Sequence, residues 1–399
     1  MTRPASIVAL CALLLIPFGV MSSVIHQGHV YALMWVCFVG LSLSLPSLWC
    51  RGFGLYVAGW WLFVMYRVWI GAAIPELHAV AIDAALFLMF GMVALLAVYH
   101  STFPQQTWFN VICIAALIQA IIGILQVIGC DPISTILSSI VIVRGENPFT
   151  TPTGTLGNQN FLGAFLAISM PFFFRRGWWV AAPVITFGLV ISHTTAACFA
   201  AVMGAAFYFG GWLCFFGLAI AGTGYLYFFD YQHIFQADRW QFAADIMQKV
   251  GTSWKSAWFG FGPGITWEAG NTPHNEYTWT LFNYGSVGLG IMTGYILTAY
   301  RDNRVLFTAF LILCINMIGN HALHTTPTAL LAIIIIALME RERKEAQTMA
   351  VKLVSTMQKF IGLSSDAKPT SADINAGSEF YEYDTGLTYI YNDSAWSIK

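Results

Sequence analysis

The chain has 399 residues, of which 58% are hydrophobic and 9% charged, and its mean hydropathy is +0.68. This composition excludes an ordinary soluble globular protein and indicates a polytopic membrane protein. The net charge of −1 lacks the basic excess of nucleic-acid-binding proteins, so no nucleic-acid partner is expected. The eight cysteines include no Cys-x-x-Cys pair, which argues against both a disulfide framework and a zinc site.

Apolar runs near the length that crosses a bilayer core predict about twelve transmembrane helices. Five of these runs precede the first substantial loop, near 5–25, 30–49, 53–73, 79–99 and 107–129. Seven follow it, near 159–174, 178–192, 195–209, 211–229, 278–299, 305–320 and 326–339. The predicted fold is therefore all-α, with the first run retained as a helix and with one partly helical outer loop.

The positions of the basic residues predict the orientation of these spans. With twelve spans, all of the main basic positions fall on one side: Arg3, Arg51, Arg175, Arg176, Arg301, Arg304, Arg341, Arg343 and Lys344. That side is cytoplasmic by the positive-inside rule, so both termini are predicted to be cytoplasmic, and loops 130–158 and 230–277 to face outward. If 178–229 contained two spans instead of three, the orientation of every later span and loop would be reversed. Polar residues at 192–195 and glycines at 210–211 favour three.

Residues 1–340 are thus predicted to form the transmembrane domain. Residues 341–363 are predicted to form a basic amphipathic helix on the inner leaflet of the membrane. The polar segment 364–399 is predicted to be a disordered tail.

The second outer loop carries the densest group of chemically useful residues. Arg239 and Trp240 open an amphipathic stretch, and a glycine-rich turn at 260–264, with Gly262 and Gly264, lacks the strand and lysine of a nucleotide-binding loop. His274 follows at a membrane boundary, where an imidazole can accept a proton from a hydroxyl near neutral pH. Each of these groups also has a simpler interpretation. Arg239 can be a side chain that snorkels to a headgroup, the glycines an ordinary turn, and His274 a residue that only hydrogen-bonds a helix start.

If His274 only hydrogen-bonds a helix start, Asn275 or Glu276 is the capping residue of the next helix. In the first outer loop, Arg144 lies near a Thr/Gly-rich turn that leads into a helix at Asn158 and Asn160. Backbone N–H groups there, together with the arginine, are suited to hold phosphate oxygens, although Asn158 as a simple N-cap explains the same residues.

Arg67 lies in the outer third of the third span and requires a partner, either Glu76 or a bound anion. Five histidines are dispersed on the predicted outer side without the i, i+4 pairing typical of a metal site: His26, His29, His193, His321 and His324. No metal and no cofactor are therefore expected.

Four segments, taken in order, carry a family resemblance. They are GTLGNQNFLGAFLAISMP at 154–171, Arg239 followed by Trp240, GFGPG at 260–264, and HNEYTWTLFNYGSVGLG at 274–290. Together they resemble the bacterial O-antigen ligase superfamily. The resemblance implies a type C glycosyltransferase fold and transfer of a glycan from undecaprenyl diphosphate, without metal or nucleotide. The acceptor would be lipid A core, or another glycan or protein, at the periplasmic face of the inner membrane.

Carried over residue by residue, the resemblance makes His274 the base and Arg239 a cation at the reacting diphosphate. Arg144 corresponds only by its position in the first outer loop. Asn275, Glu276, Asn158, Asn160, Gly262 and Gly264 are supporting positions. One departure is clear: where the family often has Ser-Arg before a span, this chain has Ser192 and His193. His193, Arg67 or Arg144 would then contact the diphosphate in place of the missing arginine.

The expected mechanism is an inverting displacement. His274 deprotonates the acceptor hydroxyl, which attacks the anomeric carbon, while the arginines stabilise the departing diphosphate. Within the superfamily a ligase is expected first, and a polymerase or a pilin oligosaccharyltransferase is the alternative. Outside it, a lipid-linked oligosaccharide flippase or a secondary transporter would place its polar residues near mid-membrane.

Overall fold

The computed structural model describes residues 95, 98–132, 152–156, 158–229, 237–261, 275–299, 301–319, 326–355, 358–369, 374, 377–391 and 395–399. The side chains at 221–229, 237–243, 326–327 and 347–355 fall outside this description. The first three predicted spans and nearly all of the fourth also fall outside it. The same is true of Arg67, Arg144, Gly262, Gly264 and His274.

Helices dominate the described chain. They are α1 Gln105–Val127, α2 Gln159–Ser169, α3 Ala182–Ile191, α4 Thr195–Phe229, α5 Ala237–Val250, α6 Trp254–Phe259, α7 Glu276–Thr298, α8 Arg304–Gly319 and α9 Thr326–Ser355. Short 3-10 turns extend α2 over Met170–Phe174 and precede α3 over Trp179–Ala181. Two stretches among the described residues are long and apolar enough to cross a membrane, α1 and Thr195–Ile220 of α4.

Both chain breaks predicted within 178–229 are present. The turn between α3 and α4 contains His193 at φ 52, and α4 is interrupted at Gly211, whose φ is 69 and ψ −161. Histidine tolerates the left-handed region better than most side chains, whereas the conformation of Gly211 is essentially restricted to glycine. The apolar run is therefore divided into three helical pieces.

The predicted span at 278–299 is corrected by the structure, because α7 is not one straight helix. It is interrupted at Gly285, which has φ 65 and ψ −168. Thr280 Oγ1 lies 3.8 Å from Met292 Sδ across this interruption. In a straight helix two residues twelve positions apart would be separated by about 18 Å. The second half of α7 therefore folds back against the first half.

Consecutive helices α1 to α4 alternate in direction. Near the start of α1 the Phe109 ring lies 5.0 Å from the Phe172 ring just beyond α2, whereas near its end Gln126 contacts Gly154, just before α2. The rings of Phe174, in the turn after α2, and Tyr208, in α4, lie 5.0 Å apart. The starts of α2 and α4 consequently lie at one end of the bundle.

Small residues let these helices approach closely. A Cβ atom added at Gly163 would lie 2.6 Å from Thr194 Cβ, one at Gly188 would lie 2.9 Å from Ala120 Cβ, and one at Gly204 would lie 2.3 Å from Ile312. Glycine and alanine at helix contacts are typical of packing in membranes, where van der Waals contact drives helix association. The buried core around them is aromatic and aliphatic, and its largest side chains include Trp108, Phe165, Phe172 and Phe173.

The chain divides into two compact units, Met1–Glu340 and Arg341–Lys399. The second contains a four-stranded sheet in the order β1-β2-β3-β4, formed by Lys359–Gly362, Glu379–Glu382, Thr388–Tyr391 and Trp396–Ile398. The β1 and β2 strands are parallel, with Phe360 opposite Phe380, and the other two pairings are antiparallel. The helix predicted over 341–363 therefore ends at Ser355, and the prediction of a disordered tail over 364–399 is corrected.

Aromatic packing explains this correction. The ring of Trp396 lies 5.9 Å from that of Phe380 and 5.3 Å from that of Tyr391. The ammonium group of Lys368 lies 4.0 Å from the centre of the Tyr389 ring and 2.6 Å from the carboxylate of Glu382. These contacts bury apolar surface that a count of polar residues in the tail does not reveal.

Candidate functional site

Two of the predicted site segments meet at the end of the bundle where α2 and α4 begin. The hydroxyl of Thr194 donates to the backbone oxygen of Gln159 at 3.1 Å, and its oxygen lies 3.5 Å from Oδ1 of Asn160. Gly163, one turn further along α2, packs against Thr194 and Ser192. The 192–194 turn therefore lies directly against the first turns of α2. We call Asn158, Asn160 and the 192–194 turn the cap end.

The start of α7 lies beside the half of α8 that is nearer the cap end. The phenol of Tyr277 donates to the backbone oxygen of Cys314 at 3.0 Å. At the last residue of α8, a Cβ atom on Gly319 would lie 2.9 Å from Ala196 in the first turn of α4. The C-terminal half of α8 thus contacts both α7 and α4 at their beginnings.

Both predicted helix caps are present as asparagines. Oδ1 of Asn158 accepts the N–H of Asn160 at 2.7 Å, and Oδ1 of Asn275 accepts the N–H groups of Tyr277 and Thr278 at 2.9 and 3.1 Å. Each cap satisfies backbone donors that have no partner within the helix. Glu276 follows as the first residue of α7 and is only 1% exposed. A carboxylate there is favourably placed relative to the helix dipole.

Two glutamines on α1 hold the turn that leads into α2. The carboxamide oxygen of Gln126 accepts the N–H groups of Thr153 and Gly154 at 3.0 and 2.9 Å, and its nitrogen donates to the Gly154 oxygen. One heptad earlier, Gln119 accepts both the N–H and the hydroxyl of Thr155. Sequence reasoning missed this clamp, although two glutamines seven residues apart in an apolar helix were a visible indication.

The glycine-rich turn begins at a crossing of two backbones. A Cβ atom on Gly260 would lie 2.5 Å from the carbonyl carbon of Asn283, and one on Gly285 would lie 2.3 Å from the oxygen of Trp258. Both glycines have φ near 65° to 68°. The N–H of Phe261 donates to the Phe282 oxygen at 2.9 Å. Neither glycine can therefore carry a side chain without displacing the other segment.

The two described residues nearest to His274 in the sequence both contact the same helix. Phe261 is bonded to the first half of α7, and Asn275 caps the start of that same helix. Phe261 and Asn275 therefore both lie at the first half of α7. The interpretation of the glycines as an ordinary turn is incomplete, because at least Gly260 has a specific tertiary partner.

The remaining predicted site residues are distributed as follows. His193 is exposed and lies in the turn at the cap end, with its left-handed backbone set by the break between α3 and α4. Arg239 lies in the first turn of α5, and its side chain is outside the described part of the chain. Across the described ranges, no group of three or more His, Cys, Asp or Glu residues is arranged to hold a metal ion.

Comparisons with known proteins do not add to this geometry. No protein-family model matches the chain, and no curated protein matches it significantly.

Proposed function

We propose that the protein is a metal-independent, inverting glycosyltransferase of the bacterial inner membrane, acting as an O-antigen ligase. It transfers a glycan from undecaprenyl diphosphate to a hydroxyl of lipid A core at the periplasmic face. The apolar composition and the two long apolar helices support a membrane location.

One observation carries the proposal: two of the segments that bear the family resemblance contact each other, and a third lies against the turn at which the chain departs from the family pattern. The start of α2, from the first segment, lies against the 192–194 turn. The end of α6, where GFGPG begins, lies against the bend of α7, which belongs to the His-Asn segment. Each of these contacts joins residues that are distant in sequence, which supports the proposal.

The proposed chemistry rests on the residue types that these segments contain in the sequence. His274 immediately precedes Asn275 in the sequence, and Asn275 caps the start of α7. We assign it the role of base toward the acceptor hydroxyl. The diphosphate that departs carries growing negative charge, which Arg239 and Arg144, together with His193 or Arg67, stabilise. Loss of one such donor would reduce the rate by roughly 10²-fold to 10³-fold.

The direct experiment is transfer in a purified system. The full-length protein in detergent or proteoliposomes is incubated with undecaprenyl diphosphate-linked glycan, a chelator and no nucleotide. Lipid A core, a repeat-unit glycan and a pilin-type protein are offered separately as acceptors. We expect a glycosylated lipid A core, whereas product on either other acceptor would reassign the protein to the polymerase or oligosaccharyltransferase group. Movement of the lipid-linked glycan across the bilayer without any product would instead favour a flippase.

A further inference from the structure

Three arginines gather at the end of the bundle opposite the cap end. Arg175 follows the 3-10 extension of α2, Arg304 begins α8, and Arg301 lies just before it. Each guanidinium lies over an aromatic ring, at 4.5 Å from the centre of Phe109 for Arg175 and at 5.7 Å from the centres of Tyr208 and Phe307 for Arg304 and Arg301. We call these three residues the arginine end.

These arginines have aromatic and neutral polar partners but no anionic one. Arg175 donates through Nη2 to Gln106, Arg301 donates to the oxygen of Leu297, and Arg304 donates to the oxygen of Phe207. Within the described part of the chain, no carboxylate lies within ion-pair distance of any of the three. In the part of the chain that the structure describes, these guanidinium charges are therefore not neutralised by an ion pair.

Of the three arginines, Arg175 has the guanidinium whose hydrogen bonding and charge are least satisfied. Its Nη1 atom is buried without a hydrogen-bond partner. Burial lowers the pKa of its guanidinium, because charge is costly in a poorly hydrated environment. An anion bound beside the exposed Gln106 side chain would supply the missing negative charge.

The surroundings indicate what kind of anion fits. Trp179 and Val180, which follow Arg175 closely in the chain, are 65% and 68% exposed. Phe209 is 70% exposed, and its ring lies 5.0 Å from that of Phe174. A free phosphate ion gains nothing from apolar neighbours, whereas acyl chains do. The charged centre and its apolar border match the headgroup and tails of a phospholipid.

We propose that the arginine end binds the phosphate of an anionic phospholipid, with Arg175 as its principal contact. The proposal depends on the membrane location but not on glycan transfer, so each can fail without the other. Arginine presents a planar fork to phosphate, and lysine does not reproduce it. Replacing Arg175 by lysine therefore separates a built site from simple attraction between a basic surface and an acidic membrane.

The test measures the thermal unfolding midpoint of the full-length protein in neutral detergent. Short-chain phosphatidylglycerol, phosphatidylcholine and inorganic phosphate are titrated separately. A ligand that binds the folded state raises the midpoint according to its affinity. We expect phosphatidylglycerol to raise it and the other two to have little effect. Arg175→Lys should weaken the apparent affinity for phosphatidylglycerol roughly 10-fold.

Arg176→Lys is the matched control, because Arg176 is the exposed neighbour of Arg175 and should retain the wild-type affinity. If Arg175→Lys does not fold, Arg304→Gln provides the second variant, since Arg304 is exposed, and we expect it to weaken binding as well. Equal effects of the two phospholipids, an equal loss in Arg176→Lys, or a full effect of inorganic phosphate alone would overturn the proposal.

Discussion

The two ends of the helix bundle are built from different polar groups. At the cap end, neutral asparagines, a threonine and backbone N–H groups bond to one another across segments. At the arginine end, three guanidinium groups lie on aromatic rings and lack carboxylate partners in the described chain. Fixed neutral dipoles preorganise a reaction site, whereas unpaired cations at a membrane boundary attract anionic lipid.

The two proposals therefore assign different tasks to the two ends of the bundle. The glycine crossing and the glutamine clamp fix the backbone on the side that carries the predicted chemistry. The arginine end uses long side chains that adapt to a fluid bilayer. Substitutions at the first set should thus disturb structure and transfer together, and substitutions at the second should alter lipid dependence alone.

The largest effect should come from Gly285→Ala at the crossing of α6 and α7. An alanine at this position must adopt a backbone conformation that is nearly exclusive to glycine, which costs about 1–3 kcal/mol. Its Cβ atom also collides with the Trp258 oxygen, which costs about 1–3 kcal/mol more. We expect the free energy of unfolding to fall by about 2–6 kcal/mol, measured as a lower unfolding midpoint, with loss of transfer. Gly290→Ala in the same helix, where a Cβ has open space, is the control. Equal behaviour of the two variants would refute a structural crossing.

Gln126→Leu should have the next largest effect. It leaves the N–H groups of Thr153 and Gly154 without their acceptor, and unpaired buried groups cost about 1–3 kcal/mol each. Hydrogen exchange should accelerate at these two amides, while Ile121→Ala on the exposed side of α1 should leave them protected. Unchanged exchange in Gln126→Leu would mean that the turn is held by something else.

Asn275→Ala should cost about 1 kcal/mol through the loss of the α7 cap. Asn275→Asp retains an oxygen acceptor and should recover the thermal midpoint. Transfer by the Asp variant then distinguishes two roles. Recovered transfer indicates that capping is sufficient, and transfer that stays low indicates that the amide itself contacts substrate.

The smallest expected effect is in the second compact unit, Arg341–Lys399, and at neither end of the helix bundle. It tests whether acid destabilises that unit locally. Hydrogen bonding from Lys368 lowers the pKa of Glu382 below its ordinary value of 4.5, so the folded sheet releases this proton more readily than the unfolded chain. The resulting stabilisation is present above pH 4.5 and disappears as the pH falls through the folded-state pKa. The protection factors of the β2 and β3 amides, which are corrected for the intrinsic pH dependence of exchange, should therefore fall in acid. Glu382→Gln should remove this pH dependence, and an unchanged profile would count against the ion pair.

The sequence predicted the helices that depend on local pattern. These local signals are the apolar runs, the asparagines at 158 and 275 and the glycine at 211. Each acts within a few residues, so its consequences can be derived from neighbouring positions. The Gly260–Gly285 and Gln126–Gly154 contacts join residues at least 25 positions apart, and one sequence does not specify such pairings. The sheet was missed because its strands are only three or four residues long. The roles of His274, Arg239, Arg144 and Arg67 stay predictions.

The most direct measurement of the central claim is glycan transfer by purified His274→Ala protein, compared with wild type under the same metal-free and nucleotide-free conditions. We expect this variant to retain the wild-type unfolding midpoint and phosphatidylglycerol affinity but to form no detectable product. Product at the wild-type rate from a correctly folded His274→Ala protein would contradict the proposed base, and with it the proposed transfer mechanism.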